Sequence, residues 1–294
     1  MIFLAVKFSR KKRKITQGFT LLEMILVIMI LGIMAVGISG FISLSTQTYI
    51  NATARDELVG NARFVIERLS RELRNALPNS IRVKNFNAGQ GQCLQFTPII
   101  ASTVYTDIPV MPEPASNSLS IIPFNNNEGD SFQCDTVSNC NALATVYPLS
   151  TDDIYADSTA ALGKTFQVES VTDNIVFGTA VDLSEIILNQ AINFIEDSPT
   201  KRLYIINDQV SYCVTSGFIS RYQENIASGN QIAPPVSSST LMAGYLTTNF
   251  NGHLPFNYQP ATLRRNAVVQ IHLKFTQDDE SYVFDHEVHI NNVP

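Results

Sequence analysis

The chain has 294 residues, of which 45% are hydrophobic and 16% are charged, and its formal net charge is -6. This composition excludes a disordered acidic chain and predicts a folded core. The charge is divided unevenly, since residues 1–18 carry six basic and no acidic side chains, whereas residues 78–294 carry nine basic and 21 acidic ones. The acidic bulk excludes general polyanion binding as the main role of the chain.

The N-terminal region combines a basic cluster with a long apolar run. The six basic residues are Lys7, Arg10, Lys11, Lys12, Arg13 and Lys14. Residues 19–44 form a nearly continuous apolar run, long enough to cross about 30 Å of hydrocarbon as a helix. Because basic flanks favour the cytoplasmic side, we predict a single pass through the inner membrane with the acidic portion outside.

Two other interpretations of this region are weaker. A secretory signal has an apolar core of about 7 to 15 residues and a small-residue cleavage site, which residues 35–37 could imitate. Glu23 near the start of the run and the helical pattern beyond it oppose this interpretation. The basic cluster could also bind nucleic acid or anionic lipid, but charge-directed topology explains it more simply, so we expect no nucleic-acid partner.

The helical pattern continues with an amphipathic segment over residues 45–77. Its apolar residues recur at helical spacing, at Leu58, Ala62, Val65, Ile66, Leu69, Leu73 and Leu77. The i,i+4 pairs Arg63/Glu67, Glu67/Arg71 and Arg68/Glu72 are assigned to the exposed side. Pro78 is expected to end the helix, so the sequence predicts one helix over residues 19–77.

A different pattern follows Pro78, with short apolar runs separated by turn residues. Predicted strands are 81–86, 93–97, 119–123, 202–207, 209–215, 218–223, 267–275 and 281–290. Residues 107–118 and 228–240 are predicted surface loops. The clearest hairpin joins 267–275 to a strand beginning at Tyr282 through a turn at 277–280. The expected fold is α+β, with a long N-terminal membrane-spanning helix packed on one elaborated antiparallel β-sheet head over residues 78–294.

The most informative string is KITQGFTLLEM at residues 14–24. It resembles the class III signal of type IV prepilins and type II secretion pseudopilins. The residues that carry this resemblance are Gly18, Phe19, Thr20, Leu21, Leu22 and Glu23. The resemblance implies that a prepilin peptidase removes the leader, residues 1–18, by cleavage after Gly18, and that the new terminal Phe19 is N-methylated.

The resemblance also implies a role for Glu23 in assembly, together with Thr20, Leu21 and Leu22. In that family the carboxylate meets the N-terminal amine of a neighbouring subunit, which would offset the cost of a charge in hydrocarbon. The alternative is that Glu23 only reaches the membrane interface from a generic anchor.

Two further segments are similar to one subgroup of that family. RFVIERLSRELRNALPNS at residues 63–80 and VSYCV at 210–214 resemble the MshO class of minor pilins from the mannose-sensitive haemagglutinin (MSHA) pilus system. The implied partners are the major pilin, other minor pilins and the pilus assembly platform, and the implied final location is the extracellular pilus. The alternatives are a pseudopilin J of type II secretion, and a membrane-anchored binding protein or hydrolase with an unprocessed helix.

The four cysteines all lie in the exported portion, where disulfides are feasible. They allow three pairings, of which Cys93/Cys213 with Cys134/Cys140 is favoured. A four-cysteine zinc site is the rival, but the paired C-x2-C spacing is missing.

Other candidate sites in the head are weak. His286 and His289 are three apart, which directs them to opposite faces of a strand. Neither Asp152/Asp153 nor the turn acids at 278–280 have the spacing of a calcium loop. Because no phosphate loop or nucleophile elbow is present either, the sequence predicts no cofactor, no metal and no catalytic residue.

Overall fold

The computed structural model has the α+β architecture that the sequence predicts: a long N-terminal apolar helix followed by a mostly antiparallel β-sheet head. The chain divides into two compact units, the first ending at Ala54 and the second running from Arg55. The structure describes residues 18–124, 132, 134, 140–174, 183–247, 254–262, 265–277 and 280–290.

Helix α1 spans Leu21–Arg74 and is therefore shorter than the predicted 19–77. It ends ahead of Pro78 because the next residues pair with a distant segment. The Leu77 N–H donates to the Thr97 carbonyl at 2.8 Å, and the Ile99 N–H donates to the Asn75 carbonyl at 2.9 Å. Pro78 also lacks the N–H that would reach the Arg74 carbonyl four residues earlier, so the proline and these tertiary hydrogen bonds both oppose further helix.

Within the described ranges, fifteen strands and one short second helix follow, and each of the eight predicted runs coincides with a strand. The strands are β1 Arg82–Phe86, β2 Gly91–Phe96, β3 Ala101–Asp107, β4 Ser116–Ile121, β5 Leu143–Val146, β6 Leu162–Gly163, β7 Thr165–Asn174, β8 Leu183–Phe194, β9 Arg202–Ile206, β10 Asp208–Thr215, β11 Phe218–Asn225, β12 Ser239–Ala243, β13 Phe256–Gln259, β14 Ala267–Gln277 and β15 Glu280–Ile290. Helix α2 spans Thr151–Ile154, and a 3-10 turn spans Asn87–Gly89.

Two sheets share a core with the second part of α1. They have the strand orders β1-β2-β10-β11-β12 and β13-β14-β15. Most of the predicted apolar stripe is buried, whereas Ile66 is only partly buried and Leu77 lies beyond the helix end. The buried residues of the helix are Leu58, Ala62, Val65, Leu69, Ser70 and Leu73. They form one cluster with residues of both sheets, such as Phe96, Tyr212 and Phe275. The predicted hairpin is β14–β15, paired from Ala267↔Ile290 to Gln277↔Glu280.

A separate barrel is inserted between β2 and β10. Its strand order is β4-β3-β9-β5-β7-β8-β6, and β4 also pairs with β8, so that β3, β4, β8, β7, β5 and β9 close on themselves. Its interior has its own buried cluster, in which the Phe166 and Phe194 rings meet edge to face at 5.0 Å. The predicted α+β class is confirmed, but the division of the head into two sheets and an inserted barrel could not be predicted, because strand patterns indicate strands but not their partners.

Tyr155, just after α2, fastens the inserted barrel to the sheet that it interrupts. Its hydroxyl donates to the Ser80 carbonyl at 2.9 Å and lies 3.2 Å from the Thr97 hydroxyl. The Arg82 guanidinium sits 3.6 Å from the centre of the Tyr155 ring. A small third core joins Tyr155 and Ile154 from the insertion to Leu77.

Two disulfides occur in the second unit. Cys93 is bonded to Cys213, which lies directly opposite it in the β2–β10 ladder. Cys134 is bonded to Cys140. This is the pairing that the sequence favours.

Candidate functional site

Thr20 caps the N-terminal end of α1. Gly18, Phe19 and Thr20 precede the first helical residue, Leu21. The Glu23 backbone N–H lies 3.3 Å from the Thr20 hydroxyl oxygen, and the Thr20 carbonyl accepts from the N–H groups of Glu23 and Met24 at 3.1 and 3.3 Å. Threonine is a favoured N-cap residue because its hydroxyl satisfies a backbone donor that the helix cannot.

Glu23 occupies the first turn of the capped helix. The spacing Thr-x-x-Glu is that of a capping box, and a carboxylate is favourable at the positive end of the helix dipole. Glu23 is exposed, so its carboxylate is accessible from outside the chain. A cationic group held at the same end of a neighbouring helix could pair with it.

The helix surface beyond this turn is apolar and uncovered. Every residue from Leu21 to Ile50 is exposed, and Phe19, Leu21 and Leu22 have exposed fractions of 80%, 79% and 74%. By length and composition, α1 is the one helix among the described residues that could cross a membrane. An apolar surface of this size marks a membrane or partner contact.

The histidine and acidic residues weighed as metal ligands lie in separate elements of the head. Within the described ranges, no group of three or more His, Cys, Asp and Glu side chains could hold a metal ion. His286 is half-buried, and His289 is exposed on the opposite face of β15. The Asp153 carboxylate accepts from the Leu149 and Ser150 N–H groups at 2.8 and 3.0 Å and so closes the turn before α2. Asp278 and Asp279 lie outside the described residues.

Glu72 differs from the sequence prediction, which put it in an exposed ion pair. Its carboxylate bonds to Arg68 at 3.1 Å within α1 and also to Arg221 of β11 at 3.0 Å. The hydrogen bond to Glu72 raises the pKa of the Arg68 guanidinium. Sequence spacing finds the first partner but carries no signal for the second, which is 149 residues away.

Residues 13–39 match the family model described as the prokaryotic N-terminal methylation motif. No curated protein and no solved structure matches the chain. The motif implies processing by a prepilin peptidase and pilus assembly, and the apolar helix behind it fits an inner-membrane anchor. Pilin-like proteins of this kind are structural. The motif at residues 13–39 indicates a type IV pilin-like prepilin, and the long apolar helix followed by a β-sheet head is consistent with pilin architecture.

Proposed function

We propose that the protein is a minor pilin that contributes to the assembly of an MSHA-type type IV pilus, by initiation, at the tip or as a low-copy subunit. The observation that carries the proposal is the first turn of α1, where an exposed Glu23 follows a Thr20 cap at the start of an uncovered apolar helix. A membrane anchor alone needs no carboxylate there, since a charge in hydrocarbon costs about 2.5 to 3.5 kcal/mol on insertion scales.

Processing would remove residues 1–18. Gly18 adds no side chain next to the scissile bond, so an extended peptide can enter a narrow peptidase site. Cleavage would make Phe19 the N-terminal residue and the site of N-methylation. Residues 19–44 would then act in the membrane and in assembly, residues 45–77 would continue the helix, and residues 78–294 would form the periplasmic head.

Assembly would use the new amine together with Glu23. The Phe19 amine would lie at the positive end of the helix dipole, where a second positive charge is unfavourable. The Glu23 carboxylate of an adjacent subunit would offset both the amine charge and the positive end of the helix dipole. This ion pair would fix the axial register of the two subunits, and Thr20, Leu21 and Leu22 would lie in the surrounding contact. The partners would be the major pilin, other minor pilins and the assembly platform.

A low-copy position follows from the size and charge of the head. Residues 78–294 carry nine basic against 21 acidic side chains, and a complete barrel is added to the sheet that packs on α1. Close lateral repetition of such a head would bring like charges together. Immunogold labelling should therefore mark pilus ends or sparse positions, and uniform labelling along every pilus would contradict this part of the proposal.

The decisive test is mass spectrometry of the protein extracted from its native membrane. A mature N-terminus at methylated Phe19 is expected, whereas an intact residue 1 or cleavage near residues 35–37 would overturn the proposal. Gly18→Val should leave the precursor uncleaved, because a branched side chain obstructs the peptidase, while Gly60→Val within the helix should leave cleavage unchanged. Co-purification with type II secretion components instead of pilus components would identify the pseudopilin J alternative.

A further inference from the structure

We propose that the open edge of β15 binds an extended segment of a neighbouring pilin subunit that carries cationic side chains at alternate positions. The class of partner rests on the proposed function, whereas the edge itself follows from the sheet. β15 is an 11-residue strand at the end of the order β13-β14-β15.

The hydrogen bonds of β14 fix which backbone groups of β15 point outward. On β14, the His272 N–H donates to the Pro255 carbonyl at 2.8 Å and the Thr276 N–H to the Tyr245 carbonyl at 2.7 Å, both away from β15. Backbone direction alternates along a strand, so the odd-numbered residues of β14 face β15. They pair with its even-numbered residues, such as Ile271 with His286. The outward N–H and C=O groups of β15 therefore belong to Ser281, Val283, Asp285, Glu287 and His289.

This edge lacks most of the features that usually prevent strand addition, and its charged side chains are carboxylates, which repel another acidic strand but attract a cationic one. Within the described residues β15 pairs with β14 alone, in a register without a bulge. It contains no proline, glycine, lysine or arginine, and it is long. Natural edge strands are commonly short, bulged, or protected by lysine or proline. An extended segment can add to such an edge through main-chain hydrogen bonds.

Side chains on the solvent face indicate the chemistry of that segment. The Asn257 amide donates to the Gln270 carbonyl oxygen at 3.0 Å, and the Gln270 amide donates to the Glu287 carboxylate at 2.8 Å. This row of side chains crosses three strands and stops at a carboxylate on the open edge. Asp285, which bonds His272, ends a second row on the same face, and its side chain is 74% exposed.

An added strand would continue both rows. Side chains directly opposite on paired strands lie about 4.5 to 5.5 Å apart at Cβ, so a cation opposite each carboxylate would form a cross-strand ion pair. Because Asp285 and Glu287 are two residues apart, the cations must also be two apart. A second copy of this chain fits poorly. Its own β15 offers carboxylates and no Lys or Arg, and the cations of its edge strand β1, Arg82 and Lys84, are already bonded to the Gly229 and Gln231 carbonyls of the same chain.

The test uses the full chain, co-expressed with the pilins of its own system, extracted from membranes and treated with a carbodiimide. This reagent joins a carboxylate to a lysine amine only when the two are in contact. We expect amide cross-links from Asp285 or Glu287 to lysines two residues apart in one pilin segment, identified by mass spectrometry. The partner is recognised as a pilin by its own methylated N-terminus.

Two variants of the β15 edge test separately the contribution of backbone hydrogen bonds and the contribution of the carboxylates to binding. Val283→Pro removes an outward N–H without breaking the β14–β15 ladder, and it should lower the cross-link yield at least about tenfold, whereas Val283→Ala keeps the N–H and the yield. Asp285→Lys with Glu287→Lys should lower pilin co-purification to a similar extent. Asp107→Lys with Glu169→Lys, on the exposed barrel surface, is the control with an equal change of charge. This control should leave pilin co-purification unchanged. An intact Cys93–Cys213 disulfide and unchanged protease resistance verify folding of each variant.

The possible failures are distinguishable. Wild-type cross-link yield in Val283→Pro would overturn strand addition. Wild-type co-purification in the charge-reversed variant would overturn the cationic partner. A wild-type chain with mature Phe19 that co-purifies with no pilin would overturn the proposed function and this inference with it, whereas processed protein in pilin complexes without edge cross-links overturns this inference alone.

Discussion

Tyr155 connects protonation to stability at the junction of the barrel and the interrupted sheet. Its hydroxyl is buried and donates to the Ser80 carbonyl. Burial raises its pKa to about 12 from the ordinary 10.0, although Thr97 and the Arg82 cation act in the opposite direction. In the unfolded chain the phenol ionises above pH 10, whereas in the folded chain it stays neutral until about pH 12. Its contribution to stability is therefore complete below pH 10 and is lost between pH 10 and 12.

Tyr155→Phe should lower the free energy of unfolding by about 1 to 2 kcal/mol at pH 8, because the buried Ser80 carbonyl loses its donor. The difference between wild type and variant should shrink as the pH rises from 10 to 12. Denaturant unfolding of the full chain in detergent micelles at pH 8 and pH 11 measures both effects. A difference that grows with pH would contradict the neutral buried phenol. Burial also raises the pKa of Tyr105 and Tyr212, but the variant isolates Tyr155 from them.

Individual residues also mark where sequence reasoning stops. Helical spacing identifies Arg68 as a partner of Glu72 because both lie on one helix, four residues apart. The second partner, Arg221, reaches Glu72 only because β11 packs against α1. The N-cap is the opposite case, since the Thr20 to Glu23 spacing is local and the motif around it could be identified from the sequence.

At the scale of elements, the two disulfides differ in the loops that they close. Cys93–Cys213 joins residues 120 apart, and Cys134–Cys140 joins residues 6 apart. In the chain-entropy model, closure of the longer loop stabilises by about 5 kcal/mol and closure of the shorter by about 2 kcal/mol.

Replacing Cys93 and Cys213 by serine should therefore lower the free energy of unfolding more than the same replacement of Cys134 and Cys140. The expected difference is about 2 to 3 kcal/mol. Denaturant titration of both double variants, with the oxidised wild type as reference, measures it. Equal losses would mean that the unfolded chain stays compact between residues 93 and 213 even without the disulfide, so that closing the longer loop adds no extra stability.

The predicted elements are those with a strong local period. The stripe of α1 and the alternation of Val269, Ile271 and Leu273 on β14 can be detected within a single segment. β5 has only four residues, all buried, so it shows no alternation. The closing pair β4–β8 joins segments far apart in sequence, and no periodicity encodes that pairing. Strands could thus be predicted, but the barrel could not.

At the scale of the whole molecule, a substitution in the first turn of α1 should impair assembly with other subunits and leave membrane insertion intact. Glu23→Ala should keep membrane insertion, because removal of a charge favours apolar partitioning. It should reduce pilin co-purification by at least about tenfold, since the loss of an ion pair worth 1.4 kcal/mol or more shifts an equilibrium tenfold. Carbonate extraction of membranes measures insertion, and affinity purification measures assembly.

Glu57→Ala provides the matched control, because Glu57 is exposed on the same helix but outside the apolar run. Glu23→Asp should recover part of the assembly if the shorter carboxylate still reaches the amine. Undiminished co-purification of Glu23→Ala at normal abundance would leave Glu23 without a pairing role.

The position of the insertion also determines how the head would respond to mechanical load. The barrel leaves and rejoins the sheet at one end of the β2–β10 ladder, where Phe96 faces Val210. A force that pulls the barrel away from the sheet would unzip this ladder one residue pair at a time, which is the weak direction for an antiparallel pair. Only the pairs at Phe96, Gln95 and Leu94 come before Cys93, which is bonded to Cys213. The disulfide would stop strand separation at that pair, so that tension on the barrel is transmitted to the rest of the sheet while its strands stay paired.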